Sequence, residues 1–310
     1  MPIDRSTLVA GPAKLVWGAG TFFSQSDIVI AIEPTLNPVE TSVHGVIDQA
    51  VTDMMVKVTA RLWGAWENLT ILFPASVLQP TIGTDIYGTS DVTLTINGRD
   101  GNQLLMANAQ MTKVSNLFLG VNEQSFSADV EWTCLIKNNT NPEAANAFWT
   151  TSAVAFADAT FAKTNYKQQR FTAAWGAQAG FTAFQAQKGW TIDWALDLVP
   201  RKVDAVGTVG MKIVGFQGTA RCIPLTPSID NIAAAIALQG VSGLGRLISS
   251  VASADLVITG AAAQTITLRK AGMTKSGLVY GSEPERQGET EWMSTTGFTT
   301  GVADTRAIIA

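Results

Sequence analysis

The sequence has few of the residues that carry catalytic or metal chemistry. Histidine occurs once, at His44, and cysteine twice, at Cys134 and Cys222. This inventory is too small for a zinc site, and nothing marks the serine and aspartate partners that a catalytic triad would need around His44. Neither a G-x-S-x-G elbow nor a complete G-x-G-x-x-G phosphate loop occurs. The sequence therefore predicts no catalytic, metal-binding or cofactor-binding residue.

Charge and long apolar runs are also scarce. Charged residues make up 15% of the chain, against about 25% in an average globular protein. No apolar run reaches the roughly 18 residues of a membrane helix, and the N-terminus lacks the segments of a secretion signal, so membrane insertion is not expected. No basic patch with interleaved aromatic residues indicates nucleic-acid binding. Apolar residues nevertheless reach 46%, which predicts large cores and apolar surface left over for an oligomer.

Several residues invite a functional reading but have a simpler one. Cys134 and Cys222 are interpreted as small core residues, with a disulfide or a reactive thiol as the alternatives. His44 is interpreted as a solvated loop residue. The neighbouring carboxylates Glu283 and Glu285 are interpreted as surface and not as a glycosidase pair.

Two parts of the chain resemble each other. From Leu94 to Lys113 every residue has a partner 162 positions later without a gap, and seven of the twenty pairs are identical. A Glu-Trp pair ending at Trp132 follows in the first part and another ending at Trp292 in the second. These matches predict a duplicated domain. Residues 1–160 carry a net charge of −8 and residues 161–310 one of +4, which fits either drift on solvated faces or an assembly that pairs opposite charges.

The earlier strands are matched by their sequence words. Asp27–Pro34 is matched with Asp193–Pro200, since each has the period-two alternation of a half-buried strand and each ends in proline. On this alignment the long polar loop Thr35–Asp53 is shortened to Arg201–Gly210 in the second part. Long loops in compact domains are usually functional or disordered, and we interpret Thr35–Asp53 as an inter-subunit contact arm.

Capping residues predict two helices. One runs over about Pro142–Trp149 after Asn141, and the other is capped by Asp230 and ends at Gly240. The predicted layout is an N-terminal arm over 1–11, a first domain over 12–140, a helix and linker over 141–169, a second domain over 170–296 and a C-terminal tail over 297–310.

The sequence segments of the first domain, taken in order, resemble those of a known family. The order GPAKLVWGAGTFFSQSDIVIAIEP, a long loop, VKVTARLW, LTILFP, IGTDIYGTSDVTLTI, AQMTKVSNLFLG and SADVEW resembles the major tail tube proteins of bacteriophages with long, non-contractile tails. The likeness covers most of residues 11–150 and, less closely, residues 170–296.

This resemblance implies a mainly β fold, with two tandem β-sandwich or partial-barrel domains that each have a flanking helix. In the family, six such domains form a ring whose inner sheets close into a β-barrel. Two domains in one chain therefore imply a homotrimeric, pseudo-hexameric ring. The family's inter-ring loop maps onto Thr35–Asp53, with Glu40, His44 and Asp48 as candidate contacts.

The resemblance also implies a structural, non-enzymatic role in the virion. Rings stack into a tail tube around the tape measure protein, between the tail terminator and distal tail proteins, and double-stranded DNA passes through at ejection. The parts are made and assembled in the host cytoplasm. The alternatives are a distal-tail or baseplate ring protein and, with less support, a carbohydrate-binding or hydrolytic β module.

Overall fold

Alternating apolar and polar residues fold into antiparallel strands in a computed structural model of the chain. The structure describes residues 13–86, 92–98, 101–120, 125–135, 149–153, 171–176, 181–203, 207–225, 254–260, 264–277, 288–294 and 297–302. The described part is mainly β-strand with little helix, so the predicted mainly β class is confirmed. No helix within it is both long and apolar enough to cross a membrane.

The strands of the first half, residues 13–153, are β1 (Lys14–Trp17), β2 (Gly20–Ser24), β3 (Val29–Thr41), β4 (Gly45–Ala65), β5 (Leu94–Asn97), β6 (Asn102–Met106), β7 (Ala109–Leu119), β8 (Ser125–Cys134) and β9 (Trp149–Ala153). Those of the second half, residues 171–302, are β10 (Thr172–Trp175), β11 (Phe184–Ala186), β12 (Trp190–Val203), β13 (Gly207–Cys222), β14 (Pro224–Leu225), β15 (Ala254–Thr259), β16 (Gln264–Lys275), β17 (Thr290–Ser294) and β18 (Phe298–Val302).

Eight of these strands lie side by side in one antiparallel sheet, the main sheet. Their order is β3–β4–β8–β7–β12–β13–β17–β16. The first four belong to the first half of the chain and the last four to the second half. The contact between β7 and β12, the internal junction, therefore makes one continuous sheet out of both halves.

One face of the main sheet is the core face. In β4, Val56, Val58 and Leu62 are fully buried, whereas Lys57 and Arg61 between them face the other way. Successive side chains of a strand point to opposite faces, so this alternation gives the main sheet one apolar and one polar face. Cys134 and Cys222 are free and buried on the core side, as predicted.

Shorter strands cover the core face. They pair in the order β2–β1–β5–β6–β9 in the first half and β11–β10–β15–β16–β18 in the second. Tryptophans tie the layers together, because the indole of Trp17 donates to the Ala109 carbonyl at 2.8 Å and that of Trp175 to the Ala271 carbonyl at 3.0 Å. Trp175 also meets Trp292 edge to face, with ring centroids 6.2 Å apart.

Short elements join the strands. Gly18 adopts a φ of +58° in the turn between β1 and β2, so the Gly-Ala-Gly sequence there forms a hairpin turn. A 3₁₀ helix spans Trp66–Leu72, and one turn of α-helix, α1, spans Ala75–Leu78. The helix predicted after Asp230 lies outside the described residues, as does most of the one predicted from Pro142.

Two strands lie where no strand was predicted. Trp149, predicted as the last residue of a helix, begins β9. This strand lies inside the predicted linker and pairs with β6. Likewise, β18 lies inside the predicted C-terminal tail and pairs with β16. The sequence contains a signal for both, since Trp149-Thr150-Thr151 resembles Phe298-Thr299-Thr300. An aromatic residue followed by β-branched threonines favours a strand.

Candidate assembly interface

The chain contains two long hairpins, β3–β4 and β12–β13, whose strands pair in the same register. Ile30 lies opposite Val58 in the first hairpin, and 162 residues later Ile192 lies opposite Ala220. The register shifts after Thr35 and after Val39 in the first hairpin, and at the same two places, 162 residues on, in the second. Residues 162 positions apart are called counterparts below.

The same pairing recurs elsewhere in the two halves, with the partner residues on β8 and β17 160 positions apart instead of 162. Met111 lies opposite Trp132, and its counterpart Met273 lies opposite Trp292. Each pairing is followed by a register shift of the same form. At the hairpin tips, Gly45 has a φ of +68° and its counterpart Gly207 one of +80°, a backbone conformation that favours glycine.

The predicted shortening of the second arm is therefore wrong. Matching Pro34 with Pro200 slipped the alignment by four residues, since the counterpart of Pro200 is Pro38. A slip by an even number of residues keeps the period-two alternation, so the apolar pattern could not reveal the error. The two hairpins are equally long from Val29 and Thr191 to their tips, and Thr35–Asp53 is the outer part of β3 and β4 with a three-residue turn between them.

The outer parts of the two hairpins are the arms. The first arm is Pro34–Met54 and the second is its counterpart, Leu196–Phe216. The candidate contact residues lie near the tip of the first arm, where Glu40, His44 and Asp48 are all exposed. His44 occupies the turn, and its backbone N–H donates to the Thr41 hydroxyl at 3.2 Å.

At the internal junction, β12 is covered by the first half of the chain. Trp194 lies opposite Val114 of β7, and its indole N–H donates to the carbonyl of Leu72 at 3.0 Å. The backbone N–H of Asn116 donates to the carboxylate of Asp193 at 2.6 Å, where the register of the junction shifts. Backbone pairing, an indole and a carboxylate therefore hold the two halves together.

The second arm is held against the first half as well. Residues 83–86 form backbone hydrogen bonds with β13, from the Gly83 N–H to the Ile213 carbonyl at 2.7 Å and from the Ile213 N–H to the Thr84 carbonyl at 2.9 Å. The Asp85 carboxylate accepts the Met211 N–H at 3.0 Å and lies 3.4 Å from the Arg201 guanidinium.

Asp53 joins the two arms. Its carboxylate accepts the N–H of Thr208 at 2.9 Å and the Thr208 hydroxyl at 2.5 Å, and it lies 3.1 Å from the Lys202 ammonium. Burial would raise the pKa of Asp53, but the hydrogen bonds from Thr208 and the charge of Lys202 outweigh burial and hold that pKa below its ordinary value. The sequence contained no signal for this contact, since the two residues lie 155 positions apart.

Counterparts on β3, at the edge of the main sheet, and on β12, in its interior, differ sharply in exposure. Ile192 and Trp194, on β12, are 0% and 1% exposed, whereas their counterparts Ile30 and Ile32, on β3, are 39% and 49% exposed. All four lie on the core-face side of their strands, opposite core-face residues. What differs is the neighbour, because β12 has β7 beside it.

The arms show the same contrast. Ile213 of the second arm is 2% exposed under residues 83–86, whereas its counterpart Val51 is 62% exposed. The first arm exposes further large apolar side chains on both strands and in the turn between them: Leu36, Val39, Val43, Val46 and Ile47. Apolar exposure on this scale makes the first arm a candidate interaction surface.

The main sheet has two open edges. Within the described residues, β3 pairs only with β4, and β16 from Gly272 onward pairs only with β17. Pro34 and Pro38 both lie on β3, in keeping with the confinement of proline to edge strands. The two edges are the counterparts of the two strands that meet at the internal junction, because β3 corresponds to β12 and β16 to β7.

The polar face of the main sheet carries charges of both signs. A depression of about 610 Å³ lies on this face, lined by residues of β4, β7 and β8 and by the segment that leads into β3. Arg61, Lys113, Asp129 and Glu131 contribute to its lining, with the Arg61 guanidinium 3.7 Å from Asp129. Among the described residues, no three His, Cys, Asp or Glu side chains are grouped so that they could hold a metal ion.

Comparison with known proteins adds nothing to this geometry. No protein-family model matches the chain, and no curated protein matches it. The two open edges, the two arms and the internal junction are the features that bear on function.

Proposed function

We propose that this chain is a duplicated tail tube protein, which assembles into rings by repeating between chains the junction that joins its own two halves. The observation that carries the proposal is the contrast between counterparts. Surfaces of the second half that are buried against the first half have exposed counterparts in the first half. A second chain that places its second half there would bury them.

The proposed contact is head to tail. One open edge, β3, meets a different open edge, β16, so the interface is heterologous, and such interfaces close into rings when the rotation permits. Closure would also remove both exposed edges, which otherwise invite aggregation. The resemblance to tail tube proteins, with six domains in each ring, makes the ring a trimer of this two-domain chain.

Three chains would contribute 24 strands to the inner wall, eight from each main sheet. Strands about 4.8 Å apart and tilted by about 40° would give that wall a backbone diameter of roughly 48 Å. With the core face turned toward the covering strands, the polar face lines the passage. After side chains are allowed for, such a passage is wider than a DNA duplex.

The charges on the polar face suit a conduit. Lys57, Arg61 and Lys113 are interspersed with Asp129 and Glu131 on neighbouring strands. A strongly basic wall would hold DNA through phosphate contacts and counterion release. A wall of mixed sign lets double-stranded DNA pass after the tape measure protein has left.

The arms are proposed to connect stacked rings. Because both arms have the same length, each ring would present six of them and not three. The first arm carries Glu40, Asp48 and Asp53 with no basic residue, a net charge of −3, and the second arm carries a net charge of +1. Arms of opposite charge alternate around such a ring, which would fix how one ring seats on the next. The tail terminator and distal tail proteins would take these contacts at the two ends of the tube.

Electron microscopy of the purified chain tests the proposal. The expected result is hollow tubes built from rings of three chains. A chain that stays monomeric under all conditions would refute the proposal, and single rings that never stack would favour the distal-tail alternative.

A truncation separates stacking from ring closure. Replacing Pro38–Gln49 by a two-residue Asn-Gly turn removes the tip of the first arm while leaving the hairpin closed. We expect the variant to form rings without tubes. Tubes of normal length from this variant would contradict the role given to the arm.

A further inference from the structure

The internal junction has a defined register near its end. Ala195 of β12 lies opposite Lys113 of β7, and Trp194 lies opposite Val114. The counterparts of these four residues all lie within the described part of the chain. Ala195 corresponds to Glu33 and Lys113 to Lys275, while Trp194 corresponds to Ile32 and Val114 to Ser276.

We propose that Glu33 of one chain lies opposite Lys275 of the next and that this acid–base pair selects the partner edge. The inference rests on the ring proposed above and adds the register of its junctions. At the internal junction the same positions hold an alanine and a lysine. An opposite-charge pair is therefore specific to the junction between chains, where partner choice has to be made.

The charges flanking these positions extend the argument. In the free chain, Glu33 lies 3.0 Å from Lys57, and Lys275 lies 3.0 Å from Glu289. All four side chains are at least about a third exposed. When the edges meet, the order across the junction becomes Lys57, Glu33, Lys275, Glu289, so that the signs alternate. Cross-strand pairs of opposite charge stabilise a sheet, and like charges destabilise it.

The same charges oppose the wrong partner. An open antiparallel edge can also pair with a second copy of itself about a twofold axis. The edge strand β3 carries two acidic residues, Glu33 and Glu40, and no basic one. Pairing of β3 with another β3 would therefore bring two acidic edges together, whereas pairing of β3 with β16 brings an acidic residue to a basic one.

Charge reversal tests the pair. Glu33→Lys and Lys275→Glu should each lower the fraction of chains in rings at a fixed concentration, and the double variant should recover most of it. The matched control is Glu33→Lys with Lys57→Glu, which restores only the contact within the chain and should not recover assembly. Equal recovery in both double variants would overturn the proposal.

A disulfide tests the register directly. Opposite residues of antiparallel strands have Cα atoms about 4.5–5.5 Å apart, within the range that a disulfide spans. Glu33→Cys with Lys275→Cys should give covalently linked chains after mild oxidation of assembled protein, and neither single variant should. Val29→Cys with Lys275→Cys, displaced by about 13 Å along the strand, is the register control.

The outcomes separate the two proposals. Rings with efficient linking at 33 and 275 support both. Rings that link only in the displaced pair, or not at all, overturn the register and leave the tube function standing. Failure of the unsubstituted chain to form rings overturns both. The native cysteines do not compete, because both are buried.

Discussion

Ile30 and Ile192 occupy equivalent positions in the two halves of the chain, so the same substitution can be made at both and the effects compared. They are counterparts with the same side chain and the same cross-strand geometry, but Ile30 is 39% exposed and Ile192 is 0% exposed. If a neighbouring chain covers β3, then Ile30→Ala should weaken assembly. Ile192→Ala should weaken the folded chain itself.

The two effects differ in size. Truncation of a fully buried isoleucine costs about 2–5 kcal/mol of unfolding free energy, and this is expected for Ile192→Ala. Full burial of an isoleucine contributes about 1.5–3 kcal/mol. The exposed part of Ile30 would therefore contribute about 1 kcal/mol to each junction between chains, which is about fivefold in the dissociation constant of that junction. The part already buried would cost the free chain about 1–2 kcal/mol.

Two measurements separate these contributions. Urea unfolding of dilute chains gives the folding term, and sedimentation velocity over a concentration series gives the assembly term. If Ile192→Ala does not fold, the smaller Ile→Val change at both sites keeps the comparison. An assembly midpoint that Ile30→Ala shifts by less than twofold would refute the idea that a neighbouring chain covers this edge.

Three further results are expected. Asp53→Asn should lower the unfolding free energy by about 1–2 kcal/mol near neutral pH. Because folding lowers the pKa of Asp53, this difference is present above the ordinary carboxyl pKa and should disappear as the pH falls through the lowered pKa. A difference that stays constant down to pH 2 would contradict this expectation. Burial raises the pKa of Cys134 to about 12, and burial together with the charge of Glu289 raises the pKa of Cys222. A thiol reagent at pH 8 should therefore label neither cysteine until the chain unfolds. Rapid labelling of the native chain would contradict this expectation. Trp175→Phe should lower the thermal midpoint, since it removes an indole N–H that donates to a backbone carbonyl 3.0 Å away. Trp17→Phe should lower it for the same reason in the other half. No change in either variant would contradict the paired role of these indoles.

Composition and periodicity sufficed for the fold class and for many strands. Val56, Val58 and Leu62 alternate with polar residues, and the structure buries them as the alternation predicts. The turn at Gly18 was also predictable, because a glycine next to short apolar words favours a hairpin. These features depend on neighbouring residues alone, and that information is local in the sequence.

The site could be predicted only in part. The exposed arm with Glu40 and His44 was predicted as a contact surface, but its strand structure was not, because prolines within a run argue against a strand unless it is an edge. Equal arm length was missed because a slip of four residues leaves the alternation unchanged. The contact of Asp53 with Thr208 and the cover that residues 83–86 give to β13 depend on tertiary packing, which a single sequence does not encode locally.

The mass of the assembled ring tests the central claim most directly. Native mass spectrometry or electron microscopy of rings from the arm-truncated chain would give the number of chains in one ring. Three chains, of 32.9 kDa each before truncation, with a continuous wall of 24 strands are expected, because each chain supplies two domains. A ring of six chains, or a twofold dimer joined through β3 alone, would contradict the account.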